Sequence, residues 1–510
     1  MISKIFIVRE NDSERLSDSH KFLIMIFEIK NFDSMKMTIT RKHLKFFRPY
    51  ALSILTAGLL VCSSVLDIDN ARAEGYQVNS LSTRQLGMGY AGVALKLGSE
   101  SVHYNPGALA YMGKKFDFSA GVTAIISQAD YKSMDGSYKA KSDNPVSTPF
   151  FVYMGYKPFE KLAFGLAVNT PAGNSIKWPD HWRGATLVES IDMRAFNIQP
   201  TVSYKIADFL SIGAGVMMDF GGVNLKRALI PAGGLDKLSA YSQYMPQLGI
   251  PQVLESVKEK TPLGVTLKGS TKLAWGYNIG ALLNVTPNLS IGVSYRSKIR
   301  LKLEKGEAEL RYANKEVKQL IDAVNSIKPG TISIPPLDKG NFETSLPLPS
   351  NLNIGVAYKF RERLTVTGEL QFVGWKAYDS LKFQFDEKVL GGYSTIAPKK
   401  YKNTIIYRIG AEYAVCDIAT VRIGGYYDST PVRDNLYNPE TPGSNKRVYT
   451  AGASLMPFNQ FSVDLGLGYI HGLRRYGSYP EPATADVGEF FEGKYKCTAW
   501  LFSIGIKYSF

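Results

Sequence analysis

The chain has 510 residues, and its 60 Lys and Arg against 45 Asp and Glu give a formal net charge of +15 at pH 7. Such a basic chain could bind nucleic acid, but its cations are dispersed and it carries no nucleic-acid motif, so we predict no nucleic-acid partner. Its five His lie in no nucleophile-elbow or zinc-protease motif, and there is no C-x-x-C, phosphate-loop or Ca²⁺-loop motif. We accordingly predict no enzyme activity, no catalytic residue, no metal site and no cofactor.

The leader, residues 1–73, carries the pattern of a secretory signal peptide over 35–73. A basic stretch precedes an apolar run at 50–66, and the small-x-small sequence at 71–73 is a cleavage site. The apolar run is too short for a spanning helix, although a membrane anchor is the alternative. Because a methionine at the start of this pattern would be a conventional initiation site, we expect that residues 1–34 are not translated.

Secretion would place the two cysteines that follow the leader, Cys416 and Cys497, in an oxidising compartment. There they would either form a disulfide or remain as two free thiols, and the sequence leaves both alternatives open.

Residues 74–113 follow the leader and are rich in Gly, Ser and Ala, with no long alternating run. A disordered periplasmic tail is one placement for them. The placement that we favour is a hatch that plugs the lumen formed by the rest of the chain. A hatch would bury apolar side chains, which a tail would not need, and the segment carries Tyr76, Leu81, Leu86, Met88, Tyr90, Val93, Leu95 and Leu97.

From residue 114 to residue 510 the dominant pattern is alternation of apolar and polar residues with period two, which predicts strands. No stretch in this part is apolar for about twenty residues, which excludes a helical membrane protein. We predict about fourteen strands, near 115–131, 148–158, 161–171, 194–207, 210–229, 264–286, 289–310, 340–360, 364–385, 403–415, 419–430, 446–457, 461–472 and 493–510.

Three features distinguish a membrane barrel from a soluble sandwich. The apolar strand faces begin or end in Tyr, Phe or Trp, as an aromatic girdle at each membrane interface requires. The opposite faces carry Gly, Ser, Thr and isolated charges such as Arg296, Glu369, Arg408 and Glu412, which suits a polar lumen. Short turns alternate with long polar loops. The sequence therefore predicts an all-β fold, a transmembrane antiparallel β-barrel over 114–510 in the bacterial outer membrane, closed by a last strand that contains Phe510.

Two of the long loops, 234–260 and 313–330, show helical spacing. In the second, four apolar residues between Val317 and Val324 share one helical face. These apolar faces would pack on the barrel rim, form an outer groove that collects an apolar ligand, or do both.

Several segments together resemble one family. "GYQVNSLSTRQLGMGYAGVAL" and "SVHYNPGALAYM" resemble the N-terminal hatch, with its Asn-Pro-Ala signature, of the long-chain fatty acid transport proteins of the outer membrane, the FadL/TodX-like family. "NTPAGNSIKWPDHWRGATLVESIDMRAFNIQPTVSYKIADFLSIGAGV" resembles a tryptophan-containing loop of that family and the hairpin after it. Stretches that begin "WGYNIGALL", "LPLPSNLNIGV" and "YRIGAEYAV" look like later family hairpins, so the resemblance covers the mature chain from end to end.

The resemblance implies a fourteen-stranded barrel plugged by the hatch, which takes hydrophobic molecules from an external groove into a lumen site. Release would be sideways into the membrane, through a gap where the third strand kinks. The hatch residues that would face this kink and act in gating are Asn105, Pro106 and Gly107. The kink candidates are Gly165, Asn169 and Pro171, and the loop candidates are Trp178, Trp182 and Arg183. Gly107 stands where the family usually has Ala, and "HWRGAT" stands where it commonly has Gly-Arg, which leaves the role of Arg183 open.

These observations predict passive uptake of hydrophobic compounds, with long-chain fatty acids as the main expectation. The protein would act as a monomer in contact with the lipid bilayer and lipopolysaccharide. A general porin for small solutes and an uptake channel for aromatic hydrocarbons are the alternatives for the same barrel, and an adhesin or a membrane hydrolase would be a different class. Asn105-Pro106-Gly107 also has a plainer interpretation, as a turn that leads into the first strand.

Overall fold

A computed structural model of the protein describes residues 76–332, 334–335, 337–386, 394–480 and 490–510. The leader predicted at 1–73 lies outside these residues. Among the described residues, no helix is both long and apolar enough to cross a membrane.

Fourteen strands of the described chain form one antiparallel ring. In chain order they are β1 (Phe116–Lys132), β2 (Phe150–Phe159), β3 (Leu162–Lys177), β4 (Ser190–Ala207), β5 (Leu210–Ile230), β6 (Leu263–Ser270 and Ala274–Asn284), β7 (Leu289–Arg296 and Ile299–Tyr312), β8 (Lys339–Leu348 and Asn351–Phe360), β9 (Leu364–Val373 and Ser380–Phe385), β10 (Thr404–Cys416), β11 (Ala419–Asp428), β12 (Lys446–Phe458), β13 (Phe461–Gly472) and β14 (Phe490–Ser509). Three short strands pair with β1, β9 and β14, respectively: Lys139–Lys141, Thr395–Pro398 and Arg475–Pro480.

The ring closes between its first and last strands. β1 and β14 pair continuously, from Asp117 opposite Ser509 to Lys132 opposite Lys494. A closed ring pairs the backbone groups of its strands and leaves no sheet edge, as lipid requires of a spanning sheet. The predicted number of strands, their order and the closure by the last strand are confirmed.

The two faces of each strand differ as the alternation predicts. Along β14, Phe502 and Ile504 are 45% and 51% exposed, whereas Leu501 and Ser503 are 2% and 6% exposed.

Outward aromatic side chains lie at two levels of the ring. Those toward the long loops include Phe196, Phe220, Tyr277, Tyr295, Tyr469 and Trp500, and those toward the short turns include Phe116, Tyr358, Phe360 and Phe510.

Ile504 lies between these two levels on the outward face of β14, so Ile504→Arg should place a charge in lipid. We expect the free energy of unfolding to fall by about 2–4 kcal/mol, the cost of an arginine near the bilayer midplane. Denaturant titration in lipid vesicles measures it. The control is Thr498→Arg, on the long-loop side of Trp500, which should cost about 0–1 kcal/mol because it lies near the interface. Equal losses in the two variants would show that this face of β14 does not contact the lipid interior.

Strands β6 to β9 are interrupted, which the sequence pattern did not predict. In β6, the outward residues before the break are Lys268 and Ser270, and those after it are Trp275 and Tyr277. Side chains of a strand alternate with period two, so an irregular break moves the outward face by one position. The outward residues of β6 have even numbers before the break and odd numbers after it. The break absorbs this shift, so both halves of the strand present their apolar or long side chains on the same side of the ring.

β3 is longer than predicted. The sequence predicts an end at 171, but the strand continues to Lys177. Its register with β4 shifts between Asn169 and Ala172. Pro171 therefore lies in a bulge, where the ladder does not need the N–H that proline lacks.

The described chain also contains short helices. Those before β1 are α1 (Thr83–Leu86), α2 (Ser101–Tyr104) and the 3₁₀ turns Gly98–Glu100 and Pro106–Tyr111. Those in the loops are α3 (Ile250–Ser256), α4 (Lys315–Ile327) and the 3₁₀ turns Asp236–Tyr241, Pro246–Leu248, Trp375–Ala377 and Asp434–Leu436.

The loop with the stronger helical pattern forms the predicted helix. α4 buries the apolar face between Val317 and Val324, and Asn314 caps it by accepting the N–H of Val317 at 2.8 Å. In the other loop only α3 is α-helical, since Pro246 and Gly249 interrupt the pattern before it. α3 and α4 pack together in one apolar cluster, as the rim-packing interpretation expects.

Candidate functional site

Residues 76–113, which we call the hatch segment, lie inside the ring. α1 packs against β12, β13 and β14, whereas the 3₁₀ turn Pro106–Tyr111 packs against β3, β4, β5 and β6. Leu86, Met88 and Leu109 are each 0% exposed. The segment is therefore buried and contacts widely separated strands of the ring.

The buried Glu369 and the partly buried Glu412 of the barrel hold the hatch segment. The side chain of Arg84 donates two hydrogen bonds to Glu412, at 3.1 and 2.9 Å. Glu369 accepts the backbone N–H groups of Gly92 and Val93, both at 2.9 Å. Because a buried carboxylate is costly without donors, these bonds stabilise the barrel and the segment together.

Inward-facing glycines allow the hatch backbone to lie directly on the barrel wall. A Cβ at Gly424 would lie 2.3 Å from the carbonyl carbon of Met88, and one at Gly410 would lie 2.4 Å from its carbonyl oxygen. Gly89, the next hatch residue, has a φ of 62° and faces the backbone of Gly425. Side chains at these wall positions would displace the segment.

Asn105 links two parts of the hatch segment to the wall. It is fully buried, and its Nδ2 donates to the carbonyl groups of Val93 at 2.7 Å and Ala281 at 2.9 Å. Its Oδ1 accepts the N–H of Gly107 at 3.0 Å, which caps the following 3₁₀ turn. Asn105 is thus a structural anchor as well as a turn residue.

Asn105, Pro106 and Gly107 lie against β5 and β6. A Cβ at Gly213 of β5 would lie 2.4 Å from the carbonyl carbon of Pro106, and the carbonyl of Gly107 accepts a hydrogen bond from Ser211 at 2.7 Å. These three residues thus contact β5 and β6 directly, while Leu109 of the same turn packs against Gly165 of β3, and their role in gating stays a prediction. Small residues on β5 and β6 leave room for the turn at this place. The backbone hydrogen bonds to the β3 bulge come from a different part of the hatch segment.

We expect Asn105→Ala to loosen the hatch segment without unfolding the barrel. The change leaves two buried carbonyl groups without their donor, which costs about 1–3 kcal/mol. Amide hydrogen exchange followed by mass spectrometry should become faster across 93–108, with an unchanged melting temperature of the barrel. Asn288→Ala, in an exposed short turn, is the control. Parent-like exchange across 93–108 would show that Asn105 does not hold the segment.

The bulge of β3 is covered from the lumen by residues 76–79, which we call the bridge segment. The N–H of Val78 donates to the carbonyl of Pro171 at 2.9 Å, and the N–H of Gly173 donates to the carbonyl of Tyr76 at 3.0 Å. The contact with the predicted kink is therefore made by the first described residues of the chain.

The other kink candidates have different surroundings. Asn169 is fully buried, and its Nδ2 lies 3.4 Å from the hydroxyl of Tyr153. Gly165 lies outside the bulge and packs on the hatch segment, since a Cβ there would lie 2.3 Å from Cγ2 of Val102. Gly165 therefore permits close packing, whereas Asn169 and Pro171 bound the irregular part of β3.

The barrel wall is incomplete beside this bulge. The last β2–β3 pair joins Phe151 and Asn169, so β1 and β3 continue toward the long loops without β2 between them. Residues 142–149 cross this space through scattered bonds, such as that from the N–H of Asp143 to the carbonyl of Lys177. A cavity of about 520 Å³, the wall cavity, opens here and is lined by residues within 77–80, 125–129, 144–150 and 170–176.

The loop after β3 closes the outer lumen with aromatic rings. Trp178 and Trp182 are each 2% exposed and stack with their centroids 4.1 Å apart. Nε1 of Trp178 donates to the carbonyl of Pro439 in the loop between β11 and β12, at 3.3 Å. Arg183 is exposed, with its guanidinium 4.5 Å from the ring centre of Tyr138. Trp178 and Trp182 thus belong to the lumen, and Arg183 belongs to the rim.

Two smaller cavities lie in the lumen. The apolar cavity, of about 60 Å³, is lined by residues that include Met193, Leu301, Leu303, Leu346 and Phe383. The arginine cavity, of about 80 Å³, is lined by residues that include His103, Asp219, Arg296, Glu369 and Arg408.

Tyr76 of the bridge segment lines both small cavities and separates them. Its ring packs edge-on against Trp375 and Tyr378, with centroids 5.2 and 5.6 Å away. Its hydroxyl donates to the carbonyl of Pro347. Movement of this one side chain would join an apolar space to a polar one that is lined by two arginines and two carboxyl groups.

Arg408 connects the arginine cavity to the bridge segment. Its Nη2 donates to Oδ1 of Asn79 at 3.0 Å, and its guanidinium carbon lies 4.9 Å from the ring centre of Tyr426. Its Nε forms no hydrogen bond among the described residues but lies 3.9 Å from Oε1 of Glu369, with which it makes an ion pair. Nη1 of Arg296 donates to Gln199 at 2.9 Å. Guanidinium groups with donors directed into a buried cavity can bind a carboxylate.

His103 contributes a neutral ring to the same cavity. Burial, reinforced by the charges of Arg296 and Arg408, holds the pKa of the imidazole well below its usual range. Its Nδ1 is buried and has no hydrogen-bond partner among the described residues. His103 can therefore exchange a hydrogen bond with a ligand without adding charge.

The described residues contain no cluster of His, Cys, Asp and Glu that could hold a metal ion. Cys416 is exposed on a short turn, Cys497 lines the wall cavity, and the two do not form a disulfide.

The fold and the site define a class: an outer-membrane β-barrel with its own N-terminal segment in the lumen and an opening in its wall. Residues 65–510 match the family described as outer membrane protein transport protein (OMPP1/FadL/TodX). Because this match spans most of the chain, the protein belongs to that family, as the resemblance indicates.

Individual proteins are similar along most of their length. The long-chain fatty acid transport protein of Escherichia coli (strain K12) is 23% identical over 481 residues, which cover 90% of this chain and 99% of that protein. Outer membrane protein P1 of Haemophilus influenzae is 24% identical over 434 residues, 81% of this chain and 89% of that protein. A solved structure of a Pseudomonas aeruginosa FadL homologue has a TM-score of 0.70 at 18% identity and covers 86% of this chain and 100% of its own. The toluene transporter TodX of P. putida has a TM-score of 0.61 at 17% identity, with coverage of 86% and 99%. The two structures share the barrel fold of this chain.

Proposed function

We propose that this protein carries long-chain fatty acids across the outer membrane by passive uptake and releases them sideways into the membrane. The family supports transport, since its members include proteins named for long-chain fatty acid transport and a toluene transporter. The observation that carries the choice of cargo is the contact of an apolar cavity with an arginine cavity at Tyr76.

A fatty acid matches the chemistry of both cavities. Its tail would lie against Leu301 and Leu303, where each buried CH₂ contributes roughly 0.8 kcal/mol. Its carboxylate would accept hydrogen bonds from Arg296 and Arg408. An aromatic hydrocarbon would fill the apolar cavity and leave both arginines without a ligand. The fatty acid is therefore the main proposal, and the aromatic hydrocarbon is the alternative.

Carboxylate binding would also favour release. Arg408 holds Asn79, so a carboxylate on Arg408 competes with the bridge segment for the same guanidinium. The bridge segment is joined to β3 by two backbone hydrogen bonds, and each contributes only about 0.5–1.5 kcal/mol net. Its displacement would move Tyr76, join the two small cavities and connect them to the wall cavity. The cargo would then reach the lipid beside β3 without crossing water.

The hatch segment supports a plug role and argues against a general porin. It fills the lumen with buried apolar side chains and is anchored by Arg84, Asn105 and the hydrogen bonds to Glu369. A porin for polar solutes needs a continuous aqueous path, which such a plug would block. We propose that the protein acts as a monomer, with lipopolysaccharide around its long-loop end, and that it catalyses no reaction.

Binding of oleate and oleyl alcohol to the purified protein in detergent tests the role of the arginine cavity. Arg296→Gln should weaken oleate binding by about tenfold or more and leave oleyl alcohol unchanged, since a hydrogen bond to a charged group contributes about 1.5–3 kcal/mol. Arg183→Gln, on the rim, should alter neither. Equal losses for both ligands, or none for oleate, would refute carboxylate binding. Tighter binding of toluene than of oleate by the parent would favour the hydrocarbon alternative.

A further inference from the structure

The outward face of β6 and β7 carries a group of cations that the transport path does not use. They are Lys272, Lys298, Arg300, Lys302 and Lys305, all exposed, and we call them the cationic band. Lys298 lies level with two outward aromatic residues, Trp275 and Tyr277, which are 62% and 51% exposed, and the other four cations lie on the long-loop side of both. Such aromatic residues mark the membrane interface, so the band lies at the level of the outer-leaflet head groups.

The cations of the band are close together, and Glu304 is a carboxylate among them that interacts with the charges of Lys272, Lys302 and Lys305. The N–H of Lys272 donates to the carbonyl of Lys302 at 2.8 Å, so these two lysines are neighbours on adjacent strands. Lys272 pairs with Glu304. Within the described part of the chain, Lys298, Arg300, Lys302 and Lys305 form no ion pair with a carboxylate within 4.0 Å.

The strand on the other side of the band supplies no charge opposite Arg300 or Lys302, whereas the exposed Glu343 lies opposite the bulge that contains Lys305. In the register between β7 and β8, Arg300 lies opposite Pro347, and Lys302 lies opposite Ser345. Like charges on facing strand positions destabilise a sheet, and the cost is larger where water is partly replaced by lipid head groups. An external anion at this level would remove that cost.

We propose that the cationic band binds the phosphate groups of lipopolysaccharide in the outer leaflet. Two observations choose this occupant: the excess of positive charge, and its level directly beyond the aromatic girdle on the long-loop side. Acyl chains of the same molecule would lie against Trp275 and the apolar outward residues of β6 below it. The proposal rests on the outer-membrane location of the barrel and is independent of its cargo.

The test is binding of bis-phosphorylated lipid A, and of the same lipid after removal of its phosphates, to the purified and delipidated full chain. The variant is Lys298→Gln/Arg300→Gln/Lys302→Gln. The control, Lys359→Gln/Arg361→Gln/Arg363→Gln, removes the same charge from exposed positions at the short-turn end of the barrel. Circular dichroism and thermal melting confirm that both variants are folded.

The parent should bind the phosphorylated lipid more tightly than the dephosphorylated one, with an affinity that falls as salt rises. The band variant should raise the Kd for phosphorylated lipid on the order of a hundredfold, because each cation near an anionic lipid surface contributes about 1 kcal/mol. The control variant should bind like the parent. Parent-like binding by the band variant, an equal loss in the control, or equal binding of the two lipids by the parent would overturn the proposal.

Discussion

Deletion of residues 74–112 should convert the barrel into an ion-conducting pore. A ring of about fourteen strands is wide enough to conduct water unless it is filled, and the deleted residues include almost all of the hatch segment. Single-channel recording in planar bilayers should show a step increase in conductance, where the parent shows little. Selectivity for oleate should be lost at the same time, because Tyr76 and Asn79 leave with the segment.

Asn105→Ala is the matched comparison for the deletion, since it keeps the hatch segment and removes one anchor. It should give brief openings at most. A parent-like conductance of the deletion variant would contradict the plug role and assign the seal to the outer loops, where Trp178 stacks on Trp182 and Lys399 pairs with Glu440.

A disulfide between the bridge segment and the β3 bulge should abolish uptake. A Cβ at Gly173 would lie 3.8 Å from Cγ2 of Val78, so Val78→Cys/Gly173→Cys can form a bond across the bulge in a background that lacks Cys416 and Cys497. If cargo leaves beside β3, the oxidised variant should lose at least tenfold in the initial rate of labelled oleate uptake into proteoliposomes. Reduction with dithiothreitol should restore the rate.

The control for this disulfide also ties the hatch segment to the wall, but away from the bulge. Thr83→Cys/Gly505→Cys is used, since a Cβ at Gly505 would lie 3.1 Å from Cβ of Thr83 and a shift of a few tenths of an ångström brings the pair to disulfide geometry. Uptake should continue in this variant under oxidising conditions. Unchanged uptake by the oxidised bulge disulfide would exclude the path beside β3.

The barrel could be predicted from the sequence because its main signal is local. Each strand alternates residues that contact lipid with residues that face the lumen, and the final strand shows this from Trp500 to Phe510. The breaks in β6 to β9 could not be predicted, because a change of one position in the alternation looks the same as the end of a strand. The predicted end of β3 at Pro171 was wrong for a related reason, since proline occurs within a bulge as well as after the end of a strand.

The site was less predictable because it depends on contacts between distant parts of the chain. Asn105 was singled out as a gating residue, with a plain turn as the alternative, but only the fold shows that its amide donates a hydrogen bond to Ala281, far along the chain. Arg296 and Arg408 were recognised as polar-face charges, and the meeting of both with the hatch segment in one cavity requires the closed ring. In the sequence, Tyr76 was recognised only as one of several apolar residues that a hatch would bury. A useful signal for such sites is a cation in the middle of a strand, on the face opposite the lipid.

The most direct test of sideways release is to map where a photoreactive fatty acid labels the protein in lipid vesicles. Mass spectrometry after illumination should find adducts around the wall cavity, on residues such as Ile125, Val146 and Ile176. It should find none at the short-turn end of the lumen, at Tyr111 and Met112. Adducts at Tyr111 and Met112 without labelling of the wall cavity would contradict the account, since the cargo would then pass along the axis of the barrel.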